Sequence, residues 1–267
     1  MRPAFRLTAA KRRSLELLAE YFCLRTKDVA ALLRGRNPTE NDLRGTRRTL
    51  LLLYRAKLVN RLPYVELDRT VGGIGYVYGL SDKGVPARDS YPWPKTFDEH
   101  SARTLDHELE ISFFHIATKR LAESTGLQLY WQQSDLKRGI HPDALFALTD
   151  SRHPEQSSSW YFFLEIERSR VGNFRNGEPG IMRKLARYAD YFDSDTCLKD
   201  WNFRKFRVVV VQRTEARHEN LLRALQNVCD RSIFWLTTEE RYQADIRGRI
   251  FATPRDFAEQ LHSLAEL

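Results

Sequence analysis

Trp160-Tyr161-Phe162-Phe163-Leu164-Glu165-Ile166-Glu167-Arg168 is an aromatic and aliphatic run interrupted by two glutamates two positions apart. Its β-prone composition predicts a strand over residues 160–167, and strand alternation puts Glu165 and Glu167 on one face. Upstream, Pro142-Asp143 opens a second predicted strand over residues 142–148, with a polar loop at 151–159 between the two. If the strands are neighbours, Asp143, Glu165 and Glu167 converge. Three carboxylates repel one another in an apolar interior, so a divalent cation is the natural neutraliser, and an all-oxygen donor set suits Mg²⁺ or Mn²⁺. A plainer reading stays open: Asp143 begins a strand after a proline, and the glutamates are the solvent face of an edge strand.

The surrounding chain predicts a helix over 101–124, strands at 127–133, 142–148 and 160–167, a helix over 179–192 and a strand at 206–212. A helix over 215–229, a strand at 232–236, a short helix near Glu239, a strand at Ile250-Phe251 and a C-terminal helix complete it. The core order is αβββαβ, an α/β arrangement within an α+β whole. In the helix over 179–192, Lys184, Tyr188 and Tyr191 fall at i, i+4 and i+7 and share one face.

This pattern resembles the PD-(D/E)xK restriction-endonuclease-like superfamily, with Asp143 at the Asp position and Glu165 at the Glu position. Position 167 departs from the pattern, being Glu where the superfamily has Lys. The resemblance makes Lys184 the candidate for a lysine displaced to the following helix. It also makes His107 and Glu108, on the first core helix, candidate additional ligands. By the same resemblance Asp143 and Glu165 bind the metal, Glu167 is a third ligand or general base, and Lys184 orients the nucleophile or stabilises developing charge.

The N-terminal third has a different chemistry. Residues 1–83 carry 17 Lys+Arg against 8 Asp+Glu, whereas the remainder carries 26 against 27. A cationic module joined to a nearly neutral one suits phosphate binding, since cations that meet a polyanion gain affinity by releasing its counterions. Helices are predicted over 9–22, 27–33 and from about 37 to 57, the last presenting Leu50, Leu51, Leu53 and Leu58 inward. Two β-prone stretches at 62–67 and 76–80 flank Val71-Gly72-Gly73-Ile74-Gly75, which reads as a hairpin tip. Three helices and a hairpin make a winged helix-turn-helix. The segment Tyr76-Val77-Tyr78-Gly79-Leu80-Ser81-Asp82-Lys83-Gly84 resembles the closing strand and turn of bacterial winged-helix domains. In such a module the third helix offers Asn41, Arg44, Thr46, Arg47 and Arg48 to base edges, while Arg61 and Arg69 approach the backbone.

Three prolines within residues 85–94 oppose helix and central strand alike. The expected division is therefore a winged helix at 1–84, a linker at 85–98 and a nuclease-like domain at 99–267. Together, the winged helix, the Pro-Asp-Ala-Leu strand, the Phe-Leu-Glu-Ile-Glu-Arg strand and the Lys-x-x-x-Tyr-x-x-Tyr helix resemble the replication-relaxation proteins and the MobC-type plasmid mobilisation relaxases. The resemblance covers roughly residues 7–213. It implies metal-dependent nicking of one strand of duplex DNA at a plasmid transfer origin, with other relaxosome proteins as partners. Either plain hydrolysis or attack by Tyr188 or Tyr191 fits, and both rings also suit packing or base stacking. The substitution at position 167 keeps a second reading open, a catalytically inactive DNA-binding initiator or regulator.

No run approaches the roughly 18 apolar residues of a membrane span, and residues 1–24 lack a signal-like apolar core. The expectation is a cytoplasmic protein without membrane contact. Cys23, Cys197 and Cys229 are far apart, with no CxxC or Cys/His cluster, and read as reduced, buried residues.

Overall fold

The computed structural model describes residues 6–65, 74–85, 96–133, 140–150, 159–168, 180–228 and 232–267. The expected hairpin tip with Arg69, Gly72 and Gly73, most of the proline-rich stretch, the polar loop at 151–158 and Cys229 lie outside those residues. The chain divides into two compact units, Met1–Ser112 and Phe113–Leu267.

In the first unit α1 (Ala9–Tyr21), β1 (Cys23–Arg25), α2 (Thr26–Arg34), α3 (Glu40–Arg55), β2 (Val59–Val65) and β3 (Ile74–Leu80) follow in order. The strands form an antiparallel sheet in the order β1-β3-β2. Helix α1 stops because Phe22 turns to φ 61, and β1 then pairs with Val77 to Gly79. Gly35 closes α2 at φ 66, a left-handed conformation that glycine adopts without a steric penalty, and donates its N–H to Ala31 O at 2.8 Å. A reciprocal cap opens α3: Thr39 Oγ1 accepts the Asp42 N–H at 3.3 Å, and the Asp42 carboxylate accepts the Thr39 N–H at 3.0 Å. Leu18, Phe22, Val29, Leu50, Leu53, Val77 and Leu80 are buried and form the core of this unit.

The Leu80-Ser81-Asp82-Lys83-Gly84 turn has a specific physical basis. Ser81 Oγ donates to Lys57 O at 2.6 Å, and the Gly84 N–H donates to Ser81 O at 2.8 Å. A Cβ on Gly84 would stand 2.0 Å from Leu58 O, and one on Gly79 would stand 2.3 Å from the Phe97 Cβ. Phe97 is fully buried, donates its N–H to Leu80 O at 3.0 Å and accepts from Asn60 Nδ2 at 2.7 Å. Ser112 Oγ donates to Tyr21 O at 2.6 Å. Through these bonds residues 96–112 pack with the first unit, so the compact units part within α4 (Leu105–Thr125), C-terminal to the proline-rich stretch.

The second unit is built on β4 (Leu127–Gln132), β5 (Ala144–Asp150), β6 (Ser159–Glu167), α5 (Gly180–Asp193), α6 (Thr196–Trp201), β7 (Arg207–Gln212), α7 (Glu215–Val228), β8 (Phe234–Thr238), α8 (Glu239–Asp245), β9 (Phe251–Thr253) and β10 (Phe257–His262). The sheet order is β10-β9-β8-β7-β6-β5-β4. Strands β4, β5 and β6 are antiparallel, and β6, β7 and β8 are parallel. Helix α4 followed by β4, β5, β6, α5 and β7 gives the expected αβββαβ order. Val208 to Val211 are all fully buried, the unbroken apolar run of a parallel strand covered on both faces.

Strand alternation sorts the side chains into two layers. On one face Leu145, Phe163, Val208, Val210, Phe234 and Leu236 pack with Met182, Leu185 and Tyr188 of α5 and with Leu221, Leu222 and Leu225 of α7. On the other, the Phe146 ring stacks on Phe162 at 4.7 Å, and Phe114 of α4 meets both Phe146 and Tyr242 of α8. Each buried large side chain contributes about 1.5–3 kcal/mol relative to exposure.

One expectation is corrected. The C-terminal segment is strand β10 and a 3₁₀ turn at Leu264–Glu266, not a helix. Phe257 takes φ 49 after a turn closed by Thr253 and Asp256, which folds the chain back on β9, and the His262 ring stacks on Trp235 at 5.2 Å. Trp201 ends the short helix α6, and its ring meets Phe163 at 5.8 Å.

Candidate functional site

Asp143 stands one residue before β5, and two backbone bonds fix it to β6. Its N–H donates to Leu164 O at 2.9 Å, and its Oδ2 accepts the Ile166 N–H at 2.7 Å. Ala144 is in register with Leu164, so the next rung sets Asp143 opposite Glu165 on the sheet face that α5 covers. Glu165 is 2 % exposed. Its Oε1 accepts from Tyr188 Oη at 2.5 Å, and its Oε2 is held by Lys184 Nζ. Burial pushes the Glu165 carboxyl up to about 8; the Asp143 charge adds to this, while Lys184 and Tyr188 oppose it. Burial, followed by the Glu165 charge, holds the Tyr188 hydroxyl well above its ordinary value.

The sequence brings three carboxylates together; the structure brings two. Among the described residues no three His, Cys, Asp or Glu side chains gather into a metal-holding group. Glu167 shares the face of Glu165 but lies one rung further on and is half-buried. Its register partner on β7 is Gln212, which is 2 % exposed and whose Nε2 has no hydrogen-bond partner among the described residues. The donor chemistry of the Asp143–Glu165 pair still fits Mg²⁺ or Mn²⁺. Such ions are held by one or two carboxylates and complete their shells with water and substrate phosphate.

Tyr188 is fully buried and Tyr191 is 6 % exposed, with the Tyr191 hydroxyl donating to Asp200 Oδ2 at 2.5 Å. Burial, then the Asp200 bond, raises the Tyr191 hydroxyl as well. Both rings are core residues, which corrects the expectation that either is presented for attack or for base stacking. His107 and Glu108 are half-buried in the first turn of α4, in the first unit. Beside Lys184, a cleft of about 340 Å³ is lined by Ile140, His141, Gly180, Arg183, Lys184 and Arg187.

On α3 the expected DNA-facing residues Asn41, Arg44, Arg47 and Arg48 are exposed. Arg47 pairs with Glu40 at 2.9 Å. Thr46 is 6 % exposed and turns inward, a correction to its place among base-reading residues. Arg61 is held between two rings, 4.4 Å from the Tyr54 centroid and 4.2 Å from that of Tyr76, so cation–π contacts fix its guanidinium on the β2–β3 surface.

Sequence reasoning missed several of these residues. Gln212 ends an all-apolar strand and carries no charge to mark it. Arg183 and Arg187 read as ordinary solvated charges, although Gly180, Arg183, Lys184 and Arg187 fall at i, i+3, i+4 and i+7 and could have been seen as a stripe. The Arg241–Glu215 pair, with contacts of 2.9 and 2.7 Å and Thr238 Oγ1 donating to the same carboxylate at 2.8 Å, joins α8, α7 and β8 and left no local signal.

A basic unit of three helices and a three-stranded sheet, joined in one chain to a mixed α/β sheet that carries a buried carboxylate pair, is the class that fold and site define. The profile of the replication-relaxation family matches residues 15–205, and the chain belongs to that family. The structure of restriction endonuclease FokI is similar to this chain at 13 % identity and a TM-score of 0.32, over 85 % of this chain. The match spans 42 % of the length of that structure. No curated protein sequence matches the chain. Among the described residues, no helix is long and apolar enough to cross a membrane.

Proposed function

We propose that the protein is a metal-dependent, strand-specific DNA-nicking enzyme of the MobC-type mobilisation relaxase kind, directed to a plasmid transfer origin by its winged helix. The observation that carries this reading is the Asp143–Glu165 pair, two cross-strand carboxylates backed by Lys184 on α5. Asp143 and Glu165 would hold Mg²⁺ or Mn²⁺. The chemistry a divalent cation supplies at such a pair is polarisation of a scissile phosphodiester and acidification of a water.

The chain's own residues set up the rest. The Ile166 N–H fixes the Asp143 carboxylate, and Tyr188 fixes that of Glu165, so neither swings when substrate arrives. Lys184 carries a positive charge at the mouth of a buried site, placed to offset negative charge that develops on the phosphate. Glu167, one rung outward and half-buried, is placed to take a proton from an attacking water. Burial of Tyr188 and Tyr191 favours water over tyrosine as the nucleophile. In the first unit, Asn41, Arg44, Arg47 and Arg48 are the residues proposed to read and grip duplex DNA, with Arg61 and Arg69 proposed to approach its backbone. Other relaxosome proteins are the expected partners.

One observation favours a second reading. Both Glu165 oxygens are engaged by Lys184 and Tyr188, an arrangement that would also suit an inactive core in a sequence-specific initiator or regulator. Supercoiled plasmid carrying the cognate origin, incubated with Mg²⁺ or Mn²⁺, separates the two. The nickase reading expects open-circular product from the wild type and none from Asp143→Ala or Glu165→Ala. Absence of product from the wild type with either metal supports the regulator.

A further inference from the structure

The cleft beside Lys184 has a composition that the carboxylate pair does not explain. Its wall is the stripe Gly180, Arg183, Lys184 and Arg187 on α5, faced by Ile140 and His141 just ahead of Asp143. Arg183, Arg187 and His141 are exposed, and Lys184 is half-buried. Among the described residues neither Arg183 nor Arg187 has a carboxylate within ion-pair distance, whereas Lys184 is engaged by Glu165. Ile140 is buried, and among the described residues a Cβ on Gly180 would meet nothing within 4 Å. Among the described residues the cleft therefore presents two guanidinium groups without an ion-pair partner and an imidazole, and its lining holds no carboxylate.

We infer that this cleft seats the backbone phosphates of the DNA strand that runs past Asp143 and Glu165. Arg183 and Arg187, one helical turn apart with Cβ atoms about 5–6 Å from each other, engage neighbouring phosphates of one strand. His141 donates to a phosphate from the opposite wall, and Lys184 links the cleft to the carboxylate pair. Guanidinium forks match phosphate oxygens in geometry as well as charge. This contact is independent of base sequence and positions a strand without reading it. Cations spaced along one helix, with Arg183 and Arg187 exposed, suit successive phosphates of a continuous strand better than a small phosphorylated molecule, which calls for enclosure on most sides. The inference rests on the reading of the second unit as a DNA-handling site, but it concerns binding and not cleavage.

The test is fluorescence anisotropy with a short labelled single-stranded oligonucleotide, in chelator, so that no nicking is involved. The full chain is used, already carrying Arg47→Glu and Arg48→Glu to silence α3. Adding Arg183→Gln and Arg187→Gln should weaken binding by about tenfold at low salt and lower the slope of log affinity against log salt by about 1.4, the value for two lost single-strand phosphate contacts. Gly180→Glu, which places a carboxylate in the cleft without removing a cation, should weaken binding comparably. All three positions are exposed, so melting temperatures should be unchanged. Unchanged affinity and slope, or no measurable affinity in the starting chain, overturn the inference. Inorganic pyrophosphate that binds the starting chain and no longer binds after Arg183→Gln and Arg187→Gln, with oligonucleotide affinity unchanged, also overturns it, in favour of a small phosphorylated ligand. A wild type that binds strand through the cleft but nicks no plasmid would leave the inference standing and remove the nickase.

Discussion

Arg47 on α3 and Lys184 on α5 each hold a glutamate, in opposite surroundings. The Arg47 and Glu40 side chains are 57 % and 64 % exposed, whereas Lys184 is 33 % exposed and Glu165 only 3 %. An exposed pair is worth between nothing and about 1 kcal/mol, because water and salt compete for both partners. Such a cation can leave its glutamate for a phosphate at almost no cost. A cation over a buried carboxylate cannot, since its departure leaves an uncompensated charge. The two pairs look alike as ion pairs and differ in use: α3 can grip and release, and α5 holds a fixed electrostatic setting.

The comparison breaks first at activity. Lys184→Met should lower nicking at saturating DNA by roughly 10²- to 10³-fold, the loss expected when a preorganised charge is removed from a developing oxyanion. Arg47→Met should instead weaken DNA affinity and leave the saturated rate nearly intact. A similar split of rate and affinity for both variants would show that burial does not distinguish the pairs.

Stability gives the next contrast. Gly79→Val drives a side chain into Phe97 and the Phe22 carbonyl, and should cost about 3 kcal/mol or more by overpacking. It should abolish duplex binding while the second unit keeps its melting transition. A single melt shifted as a whole would contradict that separation.

A third test uses acid. His115 stacks on Trp131 at 4.1 Å, and burial, then the Lys119 charge, pushes its imidazole down to about 3. The folded protein thus keeps His115 neutral while the unfolded chain takes up a proton below about 6.5. The associated stability is fully present above pH 6.5 and is lost as pH falls toward 3. The loss is on the order of 5 kcal/mol. Denaturant melts of His115→Phe should show a shallower acid decline over that window, and an unchanged decline would place the acid sensitivity elsewhere.

The smallest effect is on the exposed pair. Glu40→Gln frees Arg47 and should tighten duplex binding by no more than a few-fold, within the range of a surface pair. A large change would mean that Glu40 itself contacts DNA.

Much of this was legible because local pattern and final environment agree. The strand predicted at 206–212 is β7, and the Thr39 and Gly35 caps sit where their residue types place them. The Asp143–Glu165 contact followed from strand alternation plus a hairpin. What escaped depended on partners distant in sequence. β1 is three residues between two helices, and only its pairing with β3 makes it a strand. Phe97 follows a proline-rich stretch, and its burial against Gly79 could not be read from either segment alone. Tyr188 was correctly placed on the face of Lys184, yet its role changed, because a hydroxyl bonded to a buried carboxylate is a support and not a nucleophile. The convergence of Glu167 failed for a geometric reason, since alternation guarantees a shared face but leaves successive same-side residues a full rung apart.

The central claim is that Asp143 and Glu165 form a two-carboxylate cation site, and titration of Mn²⁺ into the full chain, followed by electron paramagnetic resonance, tests it most directly. One saturable site per chain is expected, which either Asp143→Asn or Glu165→Gln removes and Glu167→Gln weakens at most slightly. Binding that survives both substitutions, or its absence from the wild type, would contradict it.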